Sequence, residues 1–222
     1  MNNQDYYNKE YVPQVNKIGK ITGYLGVLLS FTPALVLAVV YGILPKPAAL
    51  LTAFISGASA SGKSSFVMQL AKELCRYGTV LYLSFEEKVN QSFQRRMGYL
   101  KMHEVQGRFR VLTESSYDEL IERLKRPKSP KFIVVDSFQV AAWDYPRAEA
   151  LMKKFPKKCF IWISQEKKSQ PMGSGAIKLR YICDMKVRVV GYKAYCQGRA
   201  IGEPGSYYVV WEEGIIQTSN NL

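Results

Sequence analysis

Uninterrupted apolar runs recur along the chain and are separated by stretches in which apolar residues fall three and four positions apart. The runs lie at 50–55, 79–84, 132–136 and 159–164. Unbroken runs of this length are typical of strands that are buried on both faces of a parallel sheet. After the first run, Phe66, Leu70 and Leu74 share one face of a helix that starts near Ser65. Strands that alternate with helices predict an α/β fold.

The rest of the apolar pattern predicts further helices, a short strand and a β-rich C-terminal region. Further helices are predicted at about 88–100, 116–125 and 147–155, with a short strand at 109–112. Ser116 and Glu119 have the spacing of a capping box at the start of the second of these helices. Near the C-terminus, three β-rich stretches at 185–190, 192–197 and 207–211 are separated by glycines. The sequence therefore predicts a mostly parallel central sheet flanked by helices, with a C-terminal β-hairpin region.

The loop between the first strand and the first helix carries a phosphate-binding motif. It reads Gly57-x-x-x-x-Gly62-Lys63-Ser64 and has a strand before it and a helix after it. The two glycines let the backbone turn so that successive N–H groups point at phosphate oxygens. Lys63 is expected to reach the β- and γ-phosphates, and the Ser64 hydroxyl is a ligand for Mg²⁺. The motif predicts binding of a nucleoside triphosphate together with Mg²⁺.

The residues expected to surround the nucleotide phosphates form one continuous stretch. They are Gly57, Ala58, Ser59, Ala60, Ser61, Gly62, Lys63, Ser64 and Ser65.

Residues 1–49 differ in composition from residues 50–222, which hold the predicted nucleotide-binding domain. A polar N-terminus precedes an apolar helical segment at 21–44, which contains no charged residue and is interrupted by Pro33. By length it qualifies as a membrane-spanning helix, which would place the protein at a membrane with its nucleotide-binding domain in the cytoplasm. It also fits a buried helix on the sheet edge, or a stretch foreign to the domain. The pattern leaves these three interpretations open.

Polar residues at the ends of the predicted strands are candidates for the chemistry. Asp136 ends the third long run, where a carboxylate supports Mg²⁺ through water. Glu86 follows the second run and is the candidate base that polarises the attacking water, while the adjacent Glu87 is expected to point elsewhere. Ser164 and Gln165 end the fourth run, where Gln165 can sense the γ-phosphate. The carboxyl ends of parallel strands meet at one crevice, so these side chains are expected to converge.

Charge and cysteine content indicate the kind of partner and the cellular compartment of the protein. The chain has a formal net charge of +13, and 27 of its 31 lysine and arginine residues lie in 57–222. This excess suggests a polyanionic partner, most plausibly nucleic acid. Four cysteines without a C-x-x-C pair argue against a zinc site and favour reduced thiols in the cytoplasm. The basic runs at 123–131 and 153–158 fit solvated helix ends better than a DNA-binding surface.

Three motifs in this order resemble the RecA-like ATPases. They are Gly57 to Ser64, Val80-Leu-Tyr-Leu-Ser-Phe-Glu-Glu87 and Ile133-Val-Val-Asp-Ser-Phe-Gln139. The second and third are similar to the branch that contains RadA/Sms, the DnaB helicases and KaiC. The resemblance covers about residues 50–216 and implies a RecA-like P-loop fold. The zinc finger and protease-like domain of RadA and the N-terminal helical domain of DnaB have no counterpart here.

The resemblance also implies roles for individual residues. Lys63 and Ser64 would bind phosphate and Mg²⁺, Asp136 would support the metal, Glu86 would be the catalytic base and Gln165 would relay the nucleotide state. The loop at 165–175 would match a DNA-facing loop, with Lys167 and Lys168 on DNA phosphates. Arg199 would match one half of the branch's Lys-x-Arg finger, which reaches a neighbouring subunit's site.

These residues predict an ATPase that couples ATP hydrolysis to the handling of DNA, most plausibly single-stranded, in recombination, repair or replication support. It is expected to act as a homo-oligomer, because the family's sites lie between subunits. One alternative is a KaiC-like or membrane-tethered module that uses ATP to regulate assembly. Another is a small-molecule kinase, although no arginine-rich lid is evident.

Overall fold

The structure is a computed structural model and describes residues 52–197 and 207–219. The strands are β1 (Ala53–Gly57), β2 (Val80–Ser84), β3 (Phe109–Leu112), β4 (Phe132–Asp136), β5 (Cys159–Lys167), β6 (Gln170–Pro171), β7 (Met185–Val190), β8 (Lys193–Cys196) and β9 (Tyr207–Val209). The α-helices are α1 (Lys63–Leu74), α2 (Gln91–Tyr99), α3 (Tyr117–Lys125), α4 (Tyr145–Lys154), α5 (Ser174–Ile182) and α6 (Glu212–Ser219). A 3₁₀ turn spans Met102–Val105.

These strands form one sheet in the order β3-β2-β4-β5-β1-β7-β8-β9, and β6 pairs with the end of β5. Six neighbouring strands run parallel, in the spatial order β3, β2, β4, β5, β1 and β7. Beyond β7, the sheet continues with β8 and β9 in antiparallel pairs. The parallel part and the C-terminal hairpin region confirm the predicted fold class. This order puts β1, which carries the phosphate-binding loop, between β5 and β7.

Helices cover both faces of the sheet, which explains why its central strands read as unbroken apolar runs. Ile55 of β1 belongs to a core beneath α1, whereas its neighbour Phe54 belongs to a second core beneath α3, α4 and α5. The same alternation places Ile161 in the first core and Trp162 in the second. Both sides of each central strand are thus buried, as parallel sheets require.

Several boundaries differ from the sequence pattern. The first helix begins at Lys63 and not near Ser65, because the chain is already helical where the phosphate-binding loop ends. The fourth strand continues past Gln165 to Lys167. The helix α5 was not predicted, since Gly173 and Gly175 at its start weaken the helical pattern. The capping box of Ser116 and Glu119 is present as predicted.

Two sequence expectations fall on residues that the structure leaves undescribed. They are the apolar segment at 21–44 and the candidate finger Arg199. Among the helices of 52–197 and 207–219, none is both long and apolar enough to cross a membrane.

Candidate nucleotide-binding and hydrolysis site

The phosphate-binding loop runs from the end of β1 to the first residue of α1. Gly62 adopts φ 96°, and a Cβ there would approach the Tyr192 ring to 2.8 Å. A Cβ at Gly57 would collide with the carbonyl oxygen of Val189. Tyr192 also donates its backbone N–H to the Ser61 carbonyl at 3.1 Å. The turn between β7 and β8 therefore supports the loop from behind and requires glycine at both motif positions.

Lys63 is buried at the base of this loop. Its side chain folds back so that Nζ donates to the Ala58 carbonyl at 2.6 Å, and the residue is 8% exposed. Burial lowers the pKa of Lys63, and the carboxylates of Glu86 and Asp136 oppose that shift. The ammonium thus spans the loop and lies within the electrostatic range of both candidate acids.

Polar groups at the loop are left available for a ligand. The Ser61 hydroxyl is buried and has no hydrogen-bond partner among the described residues. Buried hydroxyls are nearly always paired, so an orphan at this position indicates a missing partner. Triphosphate oxygens are acceptors that match the Ser61 hydroxyl, the Lys63 ammonium and the positive end of α1. The loop therefore fits the nucleotide that its motif predicts.

Asp136 is buried at the end of β4 and is held by a tyrosine on the neighbouring strand. The Tyr82 hydroxyl donates to Asp136 Oδ2 at 2.6 Å, and both residues are at most 2% exposed. Burial raises the pKa of Asp136 to about 6, although the hydrogen bond from Tyr82 acts in the opposite direction. Asp136 Oδ1 accepts no hydrogen bond from protein among the described hydrogen bonds.

Glu86 lies directly beside Asp136. The backbone N–H groups of Phe85 and Glu86 both donate to the Asp136 carbonyl, at 2.7 and 3.1 Å. The Glu86 side chain is solvent-exposed and accepts a hydrogen bond from Gln165 Nε2 at 2.6 Å. The candidate base and the candidate γ-phosphate sensor are therefore in direct contact, although 79 positions separate them in sequence.

Glu87 is occupied elsewhere, as its position after the strand predicts. Arg96 of α2 binds both of its carboxylate oxygens, at 2.7 and 3.2 Å. Both side chains are mostly buried, with 16% of Arg96 and 25% of Glu87 exposed. A carboxylate held in this two-pronged pair cannot approach water at the γ-phosphate. This leaves Glu86 as the carboxylate that faces the site.

Gln139, three residues after Asp136, fixes the position of Gln165. Its Nε2 donates to the Ser164 hydroxyl at 2.7 Å and to the Met172 carbonyl at 3.0 Å. Its Oε1 accepts from the Gln165 backbone N–H at 3.3 Å. The loop after β4 is thus tied to the carboxyl end of β5, which orients the Gln165 side chain toward Glu86.

A buried ion pair borders the phosphate-binding loop on its other side. Arg188 Nε donates to Glu166 at 3.0 Å, and the Ser56 hydroxyl donates to the same carboxylate at 2.8 Å. The Glu166 side chain is 2% exposed. The pair lies at a cavity of about 330 Å³ that residues 58–61 and Tyr192 help to line. Glu166 is fully engaged and is not available as a second base.

Lys167 and Lys168 lie in a tight hairpin turn and not in an irregular loop. Lys167 pairs with Gln170, and the two residues between them, Lys168 and Ser169, have φ 51° and 63°. Positive φ at both central residues is the geometry of a two-residue turn that joins antiparallel strands. Both lysines are exposed at the carboxyl edge of the sheet.

The residues also fit Mg²⁺. Ser64 follows Lys63 in the chain, and Asp136 is among the carboxylates that act on Lys63. The described residues contain no cluster of three or more histidine, cysteine or acidic side chains that could hold a metal alone. One hydroxyl and one carboxylate, completed by phosphate oxygens and water, is the arrangement that Mg²⁺ takes in P-loop proteins.

Sequence reasoning missed three residues that organise the site. Tyr82, Gln139 and Arg96 each act through a hydrogen bond to a residue from another element. The hydroxyl of Tyr82 inside a buried apolar strand was a usable signal, because buried tyrosine hydroxyls need a partner. For Arg96 and Gln139, the contacts depend on the tertiary arrangement.

The chain has a RecA-like α/β fold, with the phosphate-binding motif in the loop after β1. No family model and no curated protein matches the sequence. Among solved structures, the chain is similar to the flagellar accessory protein FlaH from Methanocaldococcus jannaschii, with 18% identity and a TM-score of 0.50 over 72% of this chain and 82% of that one. It is also similar to the KaiC-like protein PH0186 from Pyrococcus horikoshii, with 17% identity and a TM-score of 0.50 over 71% of this chain and 82% of that one. At these identities the likeness establishes the fold alone.

Proposed function

We propose that this protein binds ATP with Mg²⁺ and hydrolyses it, with Glu86 as the general base. The observation that carries the proposal is the 2.6 Å hydrogen bond between Gln165 and Glu86, beside Asp136 and the phosphate-binding loop. A carboxylate that is exposed at the carboxyl edge and held by a neutral amide is placed to accept a proton from water.

In the proposed reaction, Glu86 takes a proton from the water whose oxygen attacks the γ-phosphorus. The bond from that phosphorus to the bridging oxygen breaks, which gives ADP and phosphate. Lys63 stabilises the charge that develops on the phosphates, and Gln165 orients Glu86. When bound, Mg²⁺ would neutralise phosphate oxygens, with Ser64 as a direct ligand and Asp136 as a partner through water.

Replacing Lys63 with alanine tests the proposed ATPase. Lys63→Ala is expected to lower ATP turnover by on the order of 100-fold, because it removes the only cation buried in the described loop. Phosphate release in the presence of Mg²⁺ measures the effect. Lys72→Ala is the matched control, since it removes a lysine from the same helix that pairs with Glu104 outside the site. Equal turnover in wild type and Lys63→Ala would contradict the proposal.

We further propose that the ATP cycle is coupled to single-stranded DNA through Lys167 and Lys168. What supports this is the exposure of both lysines on the turn that continues β5, the strand that also carries Gln165. A DNA contact at the turn can therefore affect the Gln165–Glu86 hydrogen bond, because Gln165 lies only two positions before Lys167 on the same strand. Phosphate contacts of this kind weaken as salt increases.

The coupling predicts that DNA stimulates turnover and that the turn lysines are required for it. In the double variant Lys167→Ala/Lys168→Ala, stimulation by single-stranded DNA is expected to disappear while the basal rate stays within about twofold, since both lysines are exposed and lie outside the motif at 57–65. Turnover is measured with and without an oligonucleotide, and Arg95→Ala/Lys178→Ala is the control for lost charge. Turnover that is indifferent to DNA in the wild type would favour the KaiC-like regulatory module instead.

We propose that the protein acts as a homo-oligomer, with Arg199 reaching a neighbouring subunit's site. The support is that Lys63 is the single lysine or arginine of the described phosphate-binding loop at 57–65, so transition-state charge calls for a second donor. The native mass with and without ATP tests this, and a monomer under both conditions would contradict it.

We also propose that the protein acts in the cytoplasm. The support is that its four cysteines contain no C-x-x-C pair and that burial raises the pKa of Cys159 and Cys183 to about 12, which disfavours the reactive thiolate. Alkylation of the unfolded protein taken from cells tests this assignment, because a disulfide would block two of the thiols.

A further inference from the structure

A dense group of basic side chains lies at the amino edge of the sheet, opposite the nucleotide site. The stretches 122–131 and 153–158 carry nine lysine and arginine residues and one acidic residue, Glu122. Six of these cations are exposed, and we call them the amino-edge basic surface: Lys125, Arg126, Lys128, Lys153, Lys154 and Lys157. They lie at the C-terminal ends of α3 and α4 and in the loops that lead into β4 and β5.

Contacts between the two stretches show that they form one surface. Lys158 donates to the Ser129 hydroxyl and to the Pro130 carbonyl, both at 2.8 Å. Glu122 feels the charges of Lys125 and Arg126 from its own stretch and of Lys154 from the other. The adjacent strands β4 and β5 start in register, with Phe132 opposite Cys159. The cations therefore converge although about thirty positions separate the two stretches.

Little of this charge is neutralised within the protein. Lys125 pairs with Glu122 at 2.6 Å, and Lys153 pairs with Glu149 at 3.0 Å. Both pairs are solvent-exposed, so they hold their partners weakly. Arg126, Lys128, Lys154 and Lys157 make no ion pair with a carboxylate among the described residues. A surface with this much unpaired charge is suited to a polyanion.

Thr52, where the described chain begins, lies at the same edge and follows the charge-free stretch at 21–44 in sequence. Only residues 45–51 separate its end from Thr52, the residue before β1. Seven residues span at most about 25 Å. β1 is the direct neighbour of β5, with Ala53 opposite Ile161, so Thr52 lies about one strand spacing from the chain that leads in from Lys157. The chain that follows this apolar sequence thus joins the described domain on the side of the amino-edge basic surface.

This combination distinguishes between two polyanions. A nucleic acid would use the cations, but it offers nothing for 24 consecutive uncharged residues. An anionic bilayer uses both, because polybasic segments next to an apolar anchor bind acidic headgroups. The proposed hydrolysis residues lie at the carboxyl edge, so a bilayer at the amino edge leaves them open to the cytoplasm.

We propose that the amino-edge basic surface docks on an anionic lipid bilayer. The surface sets the orientation of the domain, so that the phosphate-binding loop and the Lys167–Lys168 turn face away from the membrane.

Flotation of the purified full chain with lipid vesicles tests the docking surface. The wild type is expected to float with vesicles of phosphatidylcholine and phosphatidylglycerol far more than with pure phosphatidylcholine, and less at high salt. Lys128→Glu/Lys154→Glu/Lys157→Glu is expected to reduce partition into the anionic vesicles on the order of 100-fold, because each lost cation contributes roughly fivefold.

A second triple variant controls for net charge. Arg95→Glu/Arg110→Glu/Lys178→Glu changes the net charge equally, at exposed positions on α2, β3 and α5 that lie outside the surface. It is expected to float like the wild type. Both triple variants should unfold at the wild-type temperature and keep wild-type ATP turnover, since none of the six residues belongs to the nucleotide site.

Four results would overturn the proposal. They are equal flotation with neutral and anionic vesicles, wild-type flotation of the surface variant, an equal loss in the control variant, or no flotation of the wild type. In the last case, binding to a short DNA that the surface variant loses would identify nucleic acid as the partner of this surface.

Discussion

Glu86→Gln is expected to reduce ATP turnover by roughly 10²- to 10⁴-fold, the range that a general base contributes, while ATP binding stays close to that of the wild type. The amide has the shape of the carboxylate and can still accept the hydrogen bond from Gln165. It cannot take a proton from water. A fluorescent ATP analogue measures binding and phosphate release measures turnover, so the two effects are separated in the same preparation.

The neighbouring acid supplies a matched control for this experiment. Glu87→Gln removes one carboxylate at the next position, but that carboxylate is held by both prongs of Arg96. We expect turnover within a few-fold of the wild type and a modest loss of stability, because a mostly buried ion pair is broken. If Glu87→Gln lost more turnover than Glu86→Gln, the assignment of the base would be wrong.

Asp136→Asn is expected to stabilise the protein at neutral pH and to abolish its hydrolysis. Burial raises the pKa of Asp136 from its usual 3.8 to about 6 in the folded state. Folding therefore favours the protonated form, and the free energy of unfolding falls as pH rises from about 4 to 6. Above that range the carboxylate is charged in both states, and a shift of about two pKa units corresponds to a penalty of about 3 kcal/mol.

The asparagine side chain removes the charge but can still accept the Tyr82 hydrogen bond. Urea unfolding without Mg²⁺ or nucleotide should show a gain of about 2–3 kcal/mol at pH 7.5 and almost none at pH 4. Turnover should fall at least about 100-fold, since we propose that this carboxylate supports Mg²⁺. Asp118→Asn, at an exposed position of α3, is the control and should stay within about 0.5 kcal/mol of the wild type. A gain that does not depend on pH would contradict the explanation.

Glu86→Gln tests a contribution to turnover, whereas Asp136→Asn tests a contribution to turnover and to stability at the same site. Asp136 is a charge buried at 2% exposure and held by one hydroxyl, which is unfavourable in the free protein. A bound cation would compensate for this unfavourable burial of the carboxylate charge. A stabilising loss-of-function variant is therefore an expected signature of a metal-supporting carboxylate here.

Local features of this chain could be predicted from the sequence alone. The motif from Gly57 to Ser64 is contiguous, and its chemistry lies in the backbone of one loop. The apolar runs predicted the central strands because each is buried on both faces, and the capping box at Ser116 depends only on residues within one turn. Glu86 and Asp136 were predicted to lie close together because strand ends in a parallel sheet share an edge, and the structure places them side by side.

The contacts that make the site specific are not local. Tyr82 meets Asp136, and Gln165 meets Glu86, because β2, β4 and β5 are adjacent in the sheet, with Ser84 opposite Asp136. The sequence pattern predicts strands but not their order or register. The division of roles between Glu86 and Glu87 likewise depends on where α2 places Arg96.

The amino-edge basic surface, like the contacts of the site, could not be predicted from the sequence alone. In the sequence, its two runs are separate and each resembles an ordinary solvated helix end. The structure brings them together because α3 and α4 both lead into neighbouring strands that begin in register. The sequence by itself determined the phosphate-binding motif, the central strands and the charge, since these follow from neighbouring residues. Only the tertiary structure decided which acid faces the site and where the charge gathers, because both depend on strand order and register.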